Sequence, residues 1–384
     1  MNDFGYLSDS DVYLDAACQS LRPQPVIDAL TDYYHHFNSC GERVKYSWGK
    51  TTDQKVALTR AKVLKFLKLS PRDYFTSFTL NTTYGLNLIL SQIKPGLFDK
   101  IITSDLEHNS PFLATIAAAK RLAIPRQVIS RQPDGSIDLN QDFTNAIVVL
   151  GAVSNVDGRQ LTNLKDLTKV VHKSGGILIL DAAQALAHNA DLLAKTEADA
   201  ICASAHKMYA PSLGIIVSRK DLLPKLETSF IGGGMVDDAQ KASYQLSYEN
   251  DDHIHSRFEA GLQAWGEIIA LGTAIDWLSQ QNSKNLQSYS KSNFDFLRGQ
   301  PRVKLLNQAI SPTISFHVEN LDSHLLGAAL SREGIMVRTG YFCAHYYLDH
   351  VLHLPPLVRV SLGLHNRPSD IAKFQTAMQK VLGV

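Results

Sequence analysis

Short apolar runs alternate with helix-patterned stretches through the first part of this chain. Residues 75–80, 100–103, 127–129, 146–150, 176–180, 199–203 and 215–217 read as strands. Several of these runs lack polar alternation, the pattern of strands buried on both faces. Helical spacing fills the gaps. Pro23 and Pro25 introduce a helix from Val26 to about Phe37. Val56, Ala57, Ala61, Leu64 and Leu67 share one face of a second helix, over about 54–67. Further helices are predicted over 86–92, from 111 to about 122, and over 163–174. Alternation of this kind across 75–220 specifies an α/β fold, a mainly parallel sheet sandwiched by helices. In such sheets ligands bind beyond the carboxyl ends of the strands.

The pattern then changes. Residues 38–53 are polar and read as a loop, and 237–255 read as a polar, mobile segment after the glycine-rich 231–235. A long apolar helix is predicted over 264–278. Beyond it the strands 314–318, 335–338 and 358–361 and the helices 322–333 and 368–382 outline a smaller α/β unit. The expected division is a large domain at 21–262 and a small domain made of 1–20 and 263–384.

Composition narrows the function classes. The 384 residues are 45% hydrophobic and 20% charged, as in a globular protein. Lys+Arg 38 against Asp+Glu 37 gives no basic surface for nucleic acid or for an acidic membrane. No run approaches the roughly 20 apolar residues of a membrane helix, and the polar N-terminus lacks a signal-peptide core. Cys18, Cys40, Cys202 and Cys343 form no CxxC pair. Neither a disulfide framework nor a metal site is expected, and a reducing cytoplasm is the default location.

The chemistry centres on Lys207, set between two apolar strands, and on Asp181, at the end of another. A buried ammonium is costly to desolvate, so such a lysine is either paired or used covalently. Pyridoxal phosphate needs a lysine for covalent attachment and an acid to keep its ring nitrogen protonated. Taken singly, Lys207 also reads as a snorkelling lysine and Asp181 as a strand-end cap. Thr82 and Thr83, at a strand-to-helix turn, suit either a phosphate or plain helix capping. His108 at the next such turn suits either a ring-covering role or a cap. Asn155 ends a further buried strand region, so His108, Asn155, Asp181 and Lys207 all fall at the sheet's carboxyl edge.

These residues carry a family resemblance. With Tyr13-Leu14-Asp15-Ala16-Ala17, Glu107-His108, Ser154-Asn155, Asp181-Ala182-Ala183-Gln184, Ser204 to Lys207, Phe258-Glu259-Ala260-Gly261, Arg338 to Ala344 and Arg359-Val360-Ser361, the chain resembles class V aminotransferases of pyridoxal-phosphate fold type I. Its nearest likeness is to group II cysteine desulfurases and selenocysteine lyases. The resemblance implies that Lys207 holds the cofactor and moves protons. Asp181 faces its ring nitrogen, and His108 stacks on the ring. Gln184 and Asn155 reach the phenolic oxygen. Thr83, Ser204 and His206, with the amide of Thr82, hold the phosphate. Arg359 pairs with the substrate carboxylate, with Asn155 nearby. Cys343 attacks the sulfur of L-cysteine, alanine leaves, and the persulfide passes to an acceptor protein. Arg338 and His345 flank Cys343 in sequence and suit an anion there. A homodimer is implied as well. An aminotransferase or another amino-acid lyase that does not use Cys343 is the alternative. Three departures stand out. Leu262 replaces a phosphate-binding threonine, Tyr341-Phe342 replace histidines, and the loop 40–45 lacks histidines.

Overall fold

The computed structural model describes residues 3–42, 44–194, 196–249 and 251–383. Met1 and Asn2 of the N-terminus and Arg43 of the early loop lie outside them. The chain opens with β1 (Val12–Tyr13), α1 (Gln24–His36) and α2 (Ser47–Phe66). There follow β2 (Tyr74–Thr79), α3 (Thr82–Gln92), β3 (Lys100–Ser104), α4 (Asn109–Leu122) and β4 (Arg126–Ile129). Next come β5 (Ala146–Gly151), α5 (Leu164–Lys173), β6 (Ile177–Asp181), the single turns α6 (Ala185–His188) and α7 (Ala190–Leu193), β7 (Ala200–Ser204) and β8 (Gly214–Arg219). The seven long strands form one sheet in the order β2-β8-β7-β6-β5-β3-β4. Its pairings are parallel except those of β8, which runs antiparallel to both β2 and β7.

Successive strand residues point to opposite faces, and helices cover both. Ile102, Val148, Leu178 and Leu180 enter one core layer. Their neighbours Ile101, Ile147, Val149, Ile177 and Ile179 enter the other. Double burial explains why these runs carry no polar alternation.

The structure corrects two expected boundaries. Helix α2 begins at Ser47, inside the segment expected to be loop. Its first turns are polar, but Thr51 and Thr52 return their hydroxyls to the carbonyls of Ser47 and Trp48, and Gly49 and Thr52 are buried. Hydrophobic spacing cannot register a helix face built this way. The segment expected to be mobile instead holds the hairpin β9 (Val236–Ala239) and β10 (Tyr244–Leu246) and the 3₁₀ turns Ser247–Glu249 and Asp251–Phe258. Buried Phe258 stacks on Phe75 with centroids 6.0 Å apart.

The apolar helix α8 (Trp265–Ser279) packs in the large core with α1 and α2, through Trp265, Ile268, Leu271 and Ile275. The expected division assigns it to the small domain. Gly272 lets the helices close, since a Cβ there would sit 2.5 Å from Thr59 Oγ1. The second unit contains α9 (Lys284–Arg298), β11 (Val303–Leu305), β12 (Thr313–Val318), α10 (Ser323–Arg332), β13 (Ile335–Met336), β14 (Arg338–Gly340), β15 (Leu357–Ser361) and α11 (Pro368–Leu382). Its sheet is antiparallel, in the order β11-β12-β15-β14. Strand β1 returns to pair with β13, so the N-terminal segment joins this unit.

Candidate active site

A cavity of about 290 Å³ opens at the carboxyl edge of the large sheet, against the smaller unit. Thr82, Thr83, His108, Asn155, Asp181, Gln184, Ser204, His206, Lys207, Cys343 and Arg359 all line it. The two units thus bring every sequence-predicted site residue to one place.

Lys207 ends a 3₁₀ turn, Ala205–Lys207, directly after β7. Ser20 fixes this turn: its N–H and hydroxyl both donate to the His206 carbonyl, and its oxygen accepts from the Tyr209 N–H at 2.7 Å. Tyr209 takes a left-handed backbone, φ 65°, and is fully buried. Its burial and the Ser20 hydrogen bond hold this strained exit from the turn. Among the described residues no hydrogen bond or ion pair engages the Lys207 amine. Burial pulls its pKa down, while Asp181 pulls the other way. Asp181 ends β6, next to β7, and accepts from the Ala183 N–H at 2.9 Å. Burial raises its pKa, opposed by that hydrogen bond and by Lys207.

The phosphate-or-cap question at α3 has a definite answer for the cap. Asn81, not a threonine, caps the helix, accepting from the Tyr84 N–H at 2.9 Å. The Thr82 N–H donates to Ser204 Oγ at 2.9 Å, and the two hydroxyls lie 2.6 Å apart. Thr83 Oγ1 meets Ser110 Oγ at 2.6 Å. His206 Nδ1 is buried with no partner. A helix N-terminus, three hydroxyls and an orphan imidazole nitrogen make a cradle for an anion. Gly214 permits it, because a Cβ there would lie 2.6 Å from the Asn81 backbone nitrogen.

His108 has the cap position expected of it and a place on the cavity. It is the N-cap of α4, its Nδ1 accepting from the Ser110 N–H at 3.0 Å, and it also walls the cavity. Burial, reinforced by Lys207 and Arg359, pushes its pKa down to about 4. The ring is therefore neutral at ordinary pH.

On the opposite wall Arg359, 3% exposed, donates Nη2 to Asp15 Oδ1 at 2.8 Å and Nη1 to the Asn155 carbonyl at 3.1 Å. Its Nε is buried without a partner. The Asn155 amide donates to the Phe342 carbonyl, and the Gln184 amide to the Ala17 carbonyl, each at 2.7 Å. One N–H of each is thus committed to the chain. Cys343 sits exposed in a loop, with Phe342 and Cys343 both left-handed, φ 50° and 58°. The Asn109 N–H holds its carbonyl at 2.6 Å. The two sequence neighbours expected beside this thiol face elsewhere. Arg338 donates to Cys18 Sγ at 3.8 Å, and His345 Nδ1 lies 3.2 Å from the Asn109 amide.

Some cavity residues had no role assigned from sequence. Glu107 is buried, accepting from Ser104 Oγ at 2.5 Å and from the Gly151 N–H at 2.7 Å. Burial pushes its carboxyl up to about 7. Cys18 is another, and Asp15, which anchors Arg359 behind the cavity, also had none. Glu107 and Asp15 stand in the quoted motifs, a signal for which sequence supplied no partner. At the family's threonine position Leu262 is 77% exposed, and the Gln263 amide turns back to the Gly261 carbonyl.

A buried, unpartnered lysine amine, a buried carboxylate on the adjoining strand and an anion cradle at a helix N-terminus fit pyridoxal phosphate. Fold and site define a pyridoxal-phosphate-dependent enzyme of the mainly parallel α/β type. The family described as Aminotransferase class-V matches residues 12–374, and the chain belongs to that family. A cysteine desulfurase from Serratia proteamaculans is 27% identical over 385 residues, spanning 96% of this chain and 93% of that protein. The apo structure of a cysteine desulfurase from Thermococcus onnurineus NA1 superimposes with a TM-score of 0.88 at 26% identity, covering 98% of this chain and 96% of that one. A cysteine desulfurase structure from Escherichia coli shares the fold at a TM-score of 0.86 and 22% identity, covering 99% and 97%.

Proposed function

We propose that the protein is a cysteine desulfurase, converting L-cysteine to L-alanine and holding the sulfur as a persulfide on Cys343. The observation that carries this reading is the exposed Cys343 on the wall of the cavity that contains Lys207, Asp181 and Arg359. Bound there, pyridoxal phosphate would supply an electron sink for the charge left when the substrate Cα loses its proton. Lys207 would hold it, Asp181 would face its ring nitrogen, and His108 would cover the ring. Thr82, Thr83, Ser204 and His206 would hold the phosphate, with Gln184 and Asn155 beside the ring.

The chain's own groups then divide the work. Arg359 binds the substrate carboxylate with its remaining N–H groups. The Lys207 amine, drawn toward its neutral form by burial, takes the Cα proton. His108, neutral, moves a proton at its free Nε2. Cys343 gives up its thiol proton and attacks the substrate sulfur; the new S–S bond forms as the C–S bond breaks, and the two protons, one from Cα and one from the thiol, pass to Cα and Cβ as alanine leaves.

An acceptor protein that removes the sulfur from Cys343, a homodimer and a cytoplasmic location belong to the same reading. The exposed thiol supports the first. Exposed Leu262, Phe230 and Ile231 support a subunit contact near the Phe258–Gly261 turn. Four free cysteines fit a reducing compartment. Among the described residues no helix is long and apolar enough to cross a membrane.

The test supplies purified protein and pyridoxal phosphate with L-cysteine and a thiol reductant, measuring alanine and sulfide. Both should form, and Cys343→Ser should lower both by at least about a hundredfold. Wild-type turnover that Cys343→Ser leaves intact would assign the site to an aminotransferase or to a lyase without a protein nucleophile.

A further inference from the structure

The active-site cavity holds two thiols. Cys18 lines it together with Cys343, and both are close enough to act electrostatically on the Lys207 amine. The position of Cys18 is built. It lies in the turn Asp15–Gln19, where its N–H and that of Gln19 donate to the Asp15 carbonyl. Asp15 is fixed by Arg359, the Ala17 N–H by Ser361 Oγ at 2.9 Å, and the Ala17 carbonyl by Gln184.

Arg338 and Arg359 are direct partners across β14 and β15. Side chains paired in this way stand on one face of the sheet. Arg359 therefore reaches one end of the turn at Asp15, and Arg338 reaches the other at Cys18 Sγ, 3.8 Å away. The strand that carries Arg338 leads directly into the loop that carries Cys343. A thiol held under a guanidinium donor, in one small cavity with a second thiol, is an arrangement for exchange between sulfurs.

We propose that Cys18 is a second sulfur-carrying nucleophile of this site, taking the outer sulfur from the Cys343 persulfide. The proposal rests on the desulfurase reading above. In the step the Cys18 thiolate attacks the outer sulfur of Cys343–S–SH. A new S–S bond forms at Cys18, the bond between Cys343 Sγ and that sulfur breaks, and Cys343 leaves as thiolate. The proton shed by Cys18 passes to Cys343. No net oxidation occurs, so neither oxidant nor reductant is needed. The enzyme then keeps a sulfur equivalent inside the cavity while Cys343 is free for another turnover, and two sulfurs are stored per chain.

The experiment incubates the holoenzyme with L-cysteine without reductant, alkylates it, digests it, and locates the extra sulfur by mass spectrometry. Alanine released in the first turnovers is counted in parallel. The expected result is a persulfide label on both Cys343 and Cys18, and an alanine burst of two per chain that falls to one in Cys18→Ser. Cys343→Ser should abolish the label on Cys18. Arg338→Gln should reduce the share of label on Cys18 relative to Cys343. Label on Cys343 alone, with a burst of one, overturns the relay and leaves the desulfurase reading standing. Label on Cys18 that survives in Cys343→Ser overturns the order of transfer. Absence of both alanine and label overturns both readings.

Discussion

Replacing Arg359 by lysine keeps the positive charge and removes the planar fork. In the wild type Nη2 is committed to Asp15 and Nη1 to the Asn155 carbonyl, and Nε is buried without a partner. A lysine ammonium at this place can satisfy Asp15, but it cannot also present a fixed N–H to a substrate carboxylate. One charge-assisted hydrogen bond contributes about 1.5–3 kcal/mol. Its loss should raise KM for L-cysteine by about 10- to 150-fold, at 1.4 kcal/mol per tenfold. The carboxylate is held equally before and during reaction, so kcat should fall much less. Arg359→Ala goes further and leaves Asp15 facing an emptied site. Breaking a buried pair in this way costs about 3 kcal/mol, the low end of the usual range because Asp15 keeps some solvent contact. At about 2–4 °C per kcal/mol, Tm should drop by roughly 6–12 °C. Initial rates of alanine formation across a range of L-cysteine concentrations, with thermal melts by circular dichroism, measure both. A KM for Arg359→Lys within about threefold of wild type would refute the reasoning, because the carboxylate would then be bound elsewhere.

Other outcomes follow from the same geometry. Lys207→Ala should abolish the visible absorbance band that wild type shows with pyridoxal phosphate, since among the described residues no other lysine lines the cavity; a retained band would place the attachment elsewhere. Burial sets the His108 pKa near 4, below the roughly 6.5 of an unfolded chain. As pH falls through that window the unfolded chain takes up a proton that the folded chain refuses, so stability is lost. The Tm of the apoprotein should accordingly fall more steeply from pH 6.5 to 4.5 in wild type than in His108→Gln, and parallel melting curves would contradict this. Gly214→Ala should push the Asn81 backbone away from the cradle and cost about 1–3 kcal/mol of stability. It should also weaken cofactor binding, measured by fluorescence titration with pyridoxal phosphate.

Much of this architecture was readable from the chain, for a physical reason. Strands buried on both faces leave uninterrupted apolar runs, and those runs located the sheet to within a residue or two. Asp181 and Lys207 were legible because one ends such a run and the other closes the turn just after one, so one rule about strand ends places both. Direction was not legible: nothing in Ile215-Ile216-Val217 says that β8 runs against its neighbours. The start of α2 was hidden because its buried face uses glycine and threonine. Helix α9 was missed because polar residues outnumber its buried Leu286, Phe294 and Leu297. Asp15 and Cys18 escaped a role, and Arg338 was linked to Cys343 rather than to Cys18, because their relation is purely tertiary. Only the pairing of β1 with β13, and of β14 with β15, brings them together.

That pairing has a consequence for the newborn protein. Asp15 waits for Arg359, and Ala17 for Ser361, across a separation of 344 residues. During synthesis the sheet and its lysine can assemble while the wall that grips the substrate is still inside the ribosome. The Asp15 turn is therefore without its partners until β15 has emerged, and a product truncated before β15 would lack the arginine proposed to hold the substrate carboxylate however well its first half had folded.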